Sequence, residues 1–145
     1  MQTVLCHGTF DLIHYGHILM FEAARAIGDR LVVTLTADAF VAKGPGRPVF
    51  NEQQRLHWVK SIRYVDEAFV IHEKTGVAAI AMVKPQIYAK GRDTLQWTNV
   101  IAEEQAAIEA IGGRLEYIDT GTVFHSGDLM SGRYLKLPQD SEGEK

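Results

Sequence analysis

The 145-residue sequence holds one cysteine, Cys6. That excludes an intramolecular disulfide, and its place in the apolar run Val4-Leu5-Cys6 reads as a buried spacer in a protein of a reducing, cytoplasmic setting. Nowhere do the roughly 20 uninterrupted apolar residues of a membrane-spanning helix occur. The amino terminus also lacks the basic and apolar regions of a signal peptide, so neither export nor membrane insertion is expected. Positive charge is scarce: 15 Lys and Arg stand against 18 Asp and Glu, for a formal net charge of −3. This argues against a broad face for nucleic acid and leaves room for a local basic cluster that holds a small polyanion. Internal repeats and low-complexity tracts are missing as well. With 46% hydrophobic residues, the chain has material for one compact core.

Short apolar runs predict five strands, at Val4–Cys6, Leu31–Leu35, Ala68–Ile71, Gln86–Ala89 and Leu115–Ile118. Between and after them, helical spacing predicts helices over His17–Ile27, Glu52–Ile62, Val77–Val83 and Asn99–Ile111, with a last one near Gly127–Leu135. Strict alternation of the two predicts an α/β fold: a single doubly wound, Rossmann-like five-stranded parallel sheet with helices on both faces. Asn51 is an expected N-cap, and Gly112 with Gly113 an expected helix stop. Gly44, Pro45, Gly46 and Pro48 make residues 42–50 an extended loop, which with Lys43 and Arg47 reads as a mobile basic arm. Residues 1–137 form the expected domain, and the polar, acidic stretch 138–145 is expected to be disordered.

The chemistry-bearing segment is Gly8-Thr9-Phe10-Asp11-Leu12-Ile13-His14-Tyr15-Gly16-His17, between the first strand and the first helix. A helix amino terminus presents unpaired N–H groups and the positive end of its dipole, which stabilise phosphate there. His14 and His17, three residues apart, converge on that terminus. Gly8 permits the turn, and Gly16 permits close approach of the backbone to a ligand. Phosphoryl-type transfer is helped chiefly by positioned donors, a task that imidazoles suit. A lone histidine in such a place reads as a surface or capping residue; two of them with these glycines do not. Zinc would need a third ligand at tight spacing, which the sequence does not show.

This run resembles the signature of the cytidylyltransferase-like nucleotidyltransferases, which carry an HxGH motif. Lys43-Gly44-Pro45-Gly46-Arg47-Pro48-Val49-Phe50, Arg55, Ile62-Arg63-Tyr64-Val65-Asp66 and Pro85-Gln86-Ile87-Tyr88-Ala89-Lys90-Gly91 extend the likeness. In order and spacing they are similar to members related to glycerol-3-phosphate cytidylyltransferase and, in the Lys43 and Tyr88 segments, more to the heptose-phosphate branch. The resemblance implies transfer of a nucleoside monophosphate, from CTP in preference and ATP as the other donor, to a phosphorylated sugar or polyol, with release of pyrophosphate, Mg2+ as cofactor and a homodimeric assembly. It implies catalytic roles for His14, His17 and Lys43, and nucleotide contacts at Gly8, Thr9, Phe10, Gly16, Lys90, Gly91, Asp93 and Ser126. Arg55 and Arg63 are implied near the substrate, with structural ion pairs, for instance to Asp66 or Glu67, as the other reading. Where the family has an arginine before its last motif, this chain has Asp119-Thr120-Gly121 and then Ser126-Gly127-Asp128. That departure is the one support for the alternative of a nucleotide-binding regulatory module without turnover.

Overall fold

The computed structural model describes residues 1–92 and 98–121, with the side chains of 98–100 left aside. Asp93, Ser126 and the expected last helix lie outside the described residues. Five strands, β1 (Thr3–Gly8), β2 (Arg30–Thr36), β3 (Glu67–Ile71), β4 (Ile87–Gly91) and β5 (Arg114–Ile118), alternate with α1 (Tyr15–Ala26), α2 (Glu52–Lys60), α3 (Val77–Val83) and α4 (Thr98–Ala110). All pairings are parallel, in the order β3-β2-β1-β4-β5. The doubly wound expectation holds, and each predicted strand and helix within the described residues is present.

Alternation along the strands decides which helix goes where. Val4, Cys6, Leu31, Val33 and Leu35 point to one face and pack with Phe21 and Ala24 of α1 and Val59 of α2. Leu5, Val32 and Tyr88 point to the other and pack with Ala79 and Ile80 of α3 and Ile108 of α4. Both faces being covered, the strands are apolar along most of their length. Burial pushes the Cys6 thiol up to about 12, which keeps it an inert spacer. Among the described residues no helix is long and apolar enough to cross a membrane.

Asn51 caps α2 as expected: its Oδ1 accepts from the Gln54 amide at 2.9 Å, and the Gln54 side chain accepts from the Asn51 amide at 3.0 Å. Gly112 ends α4 at φ +81, a conformation that favours glycine. Gly113 follows for a different reason, since a Cβ there would stand 2.7 Å from Ile108 Cδ1 and 2.9 Å from the Gln86 carbonyl oxygen.

The strand order reverses between β1 and β4. In open sheets of this kind, ligands bind beyond the carboxyl ends of the strands at that point. The segments following β1, β2 and β4 therefore define the crevice to be searched.

Gly113→Ala is expected to overpack the α4–β5 turn and lower unfolding free energy by about 1–3 kcal/mol, whereas Gly112→Asn, which suits the left-handed region, is expected to cost less; urea titrations of the two variants check the ranking.

Candidate active site

The turn from β1 to α1 is built around an aromatic plug. Phe10 is buried at φ +55, and its ring meets those of His17 and Phe21 edge-on, with centroids 5.3 and 5.2 Å away. Gly8 makes room for it, because a Cβ at that position would come within 3.0 Å of Phe10 Cζ. The expectation that Phe10 touches nucleotide is thereby corrected for its side chain, which serves to seat His17 from below.

His14 stands at the N-cap of α1 in extended conformation, and no acidic residue occupies the first turn. The positive end of the helix is thus not neutralised locally. The His14 amide donates to Nδ1 of His17 at 3.2 Å, and the two rings stack with centroids 3.9 Å apart. A nitrogen that accepts a hydrogen bond carries no proton, so neutral His17 holds its proton on Nε2, as a donor. Burial, then the neighbouring His14, then the charge of Lys43, push the His17 pKa down to about 3. Across the neutral range His17 is an uncharged donor of fixed tautomer. Gly16 lies in the first turn of α1, half-buried beside them.

Lys43 belongs to the 42–50 loop and is near enough to act on His17 electrostatically. Desolvation first, and then the Arg47 cation, lower its own pKa, with Asp11 pulling the other way. The expectation of a wholly mobile arm is corrected in the second half of this loop. Arg47 donates through Nε to Asp11 Oδ2 at 2.9 Å and through Nη2 to the Asp11 carbonyl oxygen. The amides of Val49 and Phe50 donate to the same carboxylate at 2.7 and 3.0 Å. Asp11 is 1% exposed. Burial would raise its pKa, but the two amides and Arg47 outweigh that and hold it below the usual carboxylate value. The arm is stapled beside the HxGH turn, and Lys43 hangs at its near end.

Arg55, expected near substrate, is 0% exposed. Its guanidinium donates to the carbonyl oxygens of Phe50, Thr9 and Thr36 at 2.9, 2.8 and 2.7 Å and to Asp38 Oδ1 at 2.6 Å. With no surface to offer a ligand, it shapes the site through the backbone of Thr9 and Thr36. Arg63 is placed away from the crevice altogether. It follows the carboxyl end of α2 and precedes β3, at the opposite edge of the sheet, exposed and hydrogen-bonded to the Tyr64 hydroxyl. Its substrate role is not supported within this chain. Lys90 and Gly91 do end β4 at the crevice, although Lys90 is 8% exposed and its ammonium lies 3.4 Å from Glu104.

Residues 5–120 match the cytidylyltransferase-like family. The chain belongs to that family. It is a nucleotidyltransferase domain, 38% identical over 118 residues to a protein of Syntrophotalea carbinolica named bifunctional protein HldE. That match covers 80% of this chain and 24% of the relative, so the chain spans about a quarter of the length of the curated relatives it matches. It is 32% identical to the lipopolysaccharide core biosynthesis protein of Thermoplasma volcanium, with a TM-score of 0.66 over 82% of this chain and 95% of the other. Pantothenate synthetase of Thermus thermophilus shares the fold, at a TM-score of 0.61 and 14% identity, over 99% of this chain and 64% of that one.

The family's signature run thus carries a residue that the sequence reading passed over. Asp11 sits in the quoted motif, but nothing at that position announced partners 36 to 39 residues on. Arg47→Met is expected to leave the buried Asp11 carboxylate unpaired and to destabilise the protein by about 3 kcal/mol, read by urea unfolding at pH 7. In the wild type, stability is expected to fall as pH drops below about 6.5, since unfolded histidine takes up protons there while His7 and His17 resist them down to about 3. The Asp11 contribution is full above about pH 4 and is lost as pH falls through its lowered native value. Unfolding midpoints from pH 3 to 8 check both signs, and a midpoint that rose on acidification would contradict the neutral histidines.

Proposed function

We propose that this chain transfers a nucleoside monophosphate from CTP or ATP to the phosphate of a small metabolite, a sugar or polyol phosphate, and releases pyrophosphate. The observation that carries the reading is the pair of stacked imidazoles at the amino terminus of α1, with the proton of neutral His17 fixed on Nε2. An oxygen of the acceptor phosphate attacks the α-phosphorus in line, a new P–O bond forms, and the bond to the β-phosphate oxygen breaks as pyrophosphate leaves. His17 Nε2–H and the first amides of α1 donate to oxygens whose charge grows in the transition state, and Lys43 offsets charge on the outer phosphates. No protein nucleophile is needed. Neutral donors suit the task, since they require no counter-ion and their orientation is set before substrate arrives.

Mg2+ belongs to the proposal as a companion of the triphosphate. Among the described residues no three His, Cys, Asp or Glu side chains gather into a metal cluster, and the Asp11 carboxylate is engaged by three donors. The phosphates themselves would hold the ion, which would supply neutralising charge to the pyrophosphate. The likeness to proteins named for HldE and for lipopolysaccharide core biosynthesis supports a phosphorylated sugar as acceptor. The family's description favours CTP as donor.

Pyrophosphate release, measured with each of CTP, ATP, GTP and UTP against a panel of sugar and polyol phosphates, is expected to require CTP or ATP as donor and one phosphorylated acceptor. Binding of nucleotide without release under any pair would instead mark a regulatory module. His17→Ala is expected to lower kcat by about 10²- to 10³-fold with an unchanged far-ultraviolet circular dichroism spectrum, and near-normal turnover would remove His17 from the reaction.

A further inference from the structure

On the α3/α4 face, the apolar covering of the sheet is interrupted near its carboxyl edge by one row of buried polar groups. Thr34 and Thr36 of β2, His7 of β1, Lys90 of β4 and Glu104 of α4 all lie below the surface. His7 Nδ1 is 2.9 Å from Thr34 Oγ1, and its Nε2 is 3.5 Å from Thr36 Oγ1. Burial and then the Lys90 charge hold His7 neutral, at a pKa of about 3. Lys90 is therefore the cation of the row. Its Nζ lies 3.4 Å from Glu104 Oε1 and 5.3 Å from the centroid of the Tyr88 ring. The second oxygen of Glu104 accepts the Gly76 amide at 2.6 Å. A Cβ on Gly76 would stand 2.8 Å from that oxygen, so only glycine lets the carboxylate in.

We infer that Lys90 is a positioning residue for the nucleotide crevice, acting through its buried ion pair with Glu104, and does not itself touch nucleotide; the inference rests on the nucleotide reading above. A buried ion pair loses as much in desolvation as it gains in attraction, so stability is not a sufficient reason for one. What this pair provides is location. Glu104 joins three elements: α4 that bears it, the start of α3 through Gly76, and the end of β4 through Lys90. Val4 pairs with Ile87 and Leu5 with Tyr88 across the switch point. The same register continued sets His7 level with Lys90 and Gly8 level with Gly91, the two glycines that end β1 and β4. Fixing Lys90 from below fixes the level of Gly91 against Gly8.

The two possible roles of Lys90 give opposite signs when Glu104 loses its charge. A lysine that contacts phosphate would be freed by Glu104→Gln and would bind nucleotide more tightly. A lysine that positions β4 would lose its anchor, and binding would weaken. Gln keeps the volume and an acceptor for the Gly76 amide. Calorimetric titration of CTP and ATP into the full chain, as wild type, Glu104→Gln and Lys90→Met/Glu104→Gln, reads the difference at fixed salt. Weakening by about tenfold or more in Glu104→Gln is expected, since small misplacements at a reacting site are costly. The double variant buries no lone charge and so keeps the test open if the single variant fails to fold. It is expected to bind as weakly as the single variant, because the pair acts as a unit, and in turnover the loss is expected in KM for the triphosphate more than in kcat. Binding that tightens or stays unchanged in Glu104→Gln, or wild-type binding in the double variant, overturns the positioning role while leaving the nucleotide reading intact. A wild-type chain that binds neither triphosphate overturns that reading and this inference together.

Discussion

Arg55 leaves α2 with no exposed surface and reaches four segments at once: the turn after β1 through Thr9, the end of β2 through Thr36, the loop before α2 through Phe50, and the 3-10 turn after β2 through Asp38. A buried guanidinium is stabilised only when its donors are occupied. Here three carbonyl oxygens and one carboxylate oxygen do so, and none of the four can move without unpairing a charge. The HxGH turn begins at one of these carbonyls and the Lys43 loop ends at another. Their mutual distance is therefore set by a side chain that belongs to neither. Asp11 complements this with the opposite charge, since it gathers Arg47, Val49 and Phe50 from the same loop onto the same turn. Arg55 and Asp11 share Phe50, one through its carbonyl and the other through its amide, so the two buried charges act on one stretch of backbone.

The fold was legible because its signals are local. Short continuous apolar runs, helical spacing, the Asn51 cap and the Gly112-Gly113 stop are each contained in a few residues, and α/β alternation leaves few topologies open. The HxGH segment was legible for the same reason: the two histidines are neighbours on one helix turn. Arginines were not. Nothing in the residues beside Arg55, Arg63 and Arg47 announces their different fates, yet one is buried, one lies at the far edge of the sheet, and one staples a loop. What separates them is contact over 17 to 46 residues, which no local pattern encodes. Phe10 misled in the other direction. Its place in a signature motif suggested a ligand contact, while its ring completes the hydrophobic layer under His17.

The sheet also divides the polar work between its faces. On the α1/α2 side, charged groups reach the crevice from loops, with Asp11, Arg47 and Lys43 in sequence about a single turn. On the α3/α4 side, Lys90 and Glu104 are buried as a pair, and His7 is buried with Thr34 and Thr36 in the same row. In the first arrangement the groups act on one another directly: desolvation and then the Arg47 cation lower the pKa of Lys43, with Asp11 opposing. The second lies below the surface, where its proposed role is one of positioning.

Electrostatic balance explains why histidines, rather than further lysines, occupy the helix terminus. Lys43, Arg47 and Arg55 already crowd one region: the pKa of Lys43 is depressed by desolvation first and then by repulsion, to which both arginines contribute. A fourth and fifth cation at positions 14 and 17 would add repulsion to a site that must stand empty between turnovers. Neutral imidazoles avoid it. The low pKa of His17 follows from burial first, then from His14 and Lys43, so the lysine proposed to meet the triphosphate also helps to keep the adjacent donor uncharged. Arrival of a polyanion reverses the sign of that field and raises the proton affinity of His17. In the proposed reaction a hydrogen bond from His17 to phosphate would then strengthen as charge builds on the oxygen, making the site most complementary to the point at which the leaving bond is breaking.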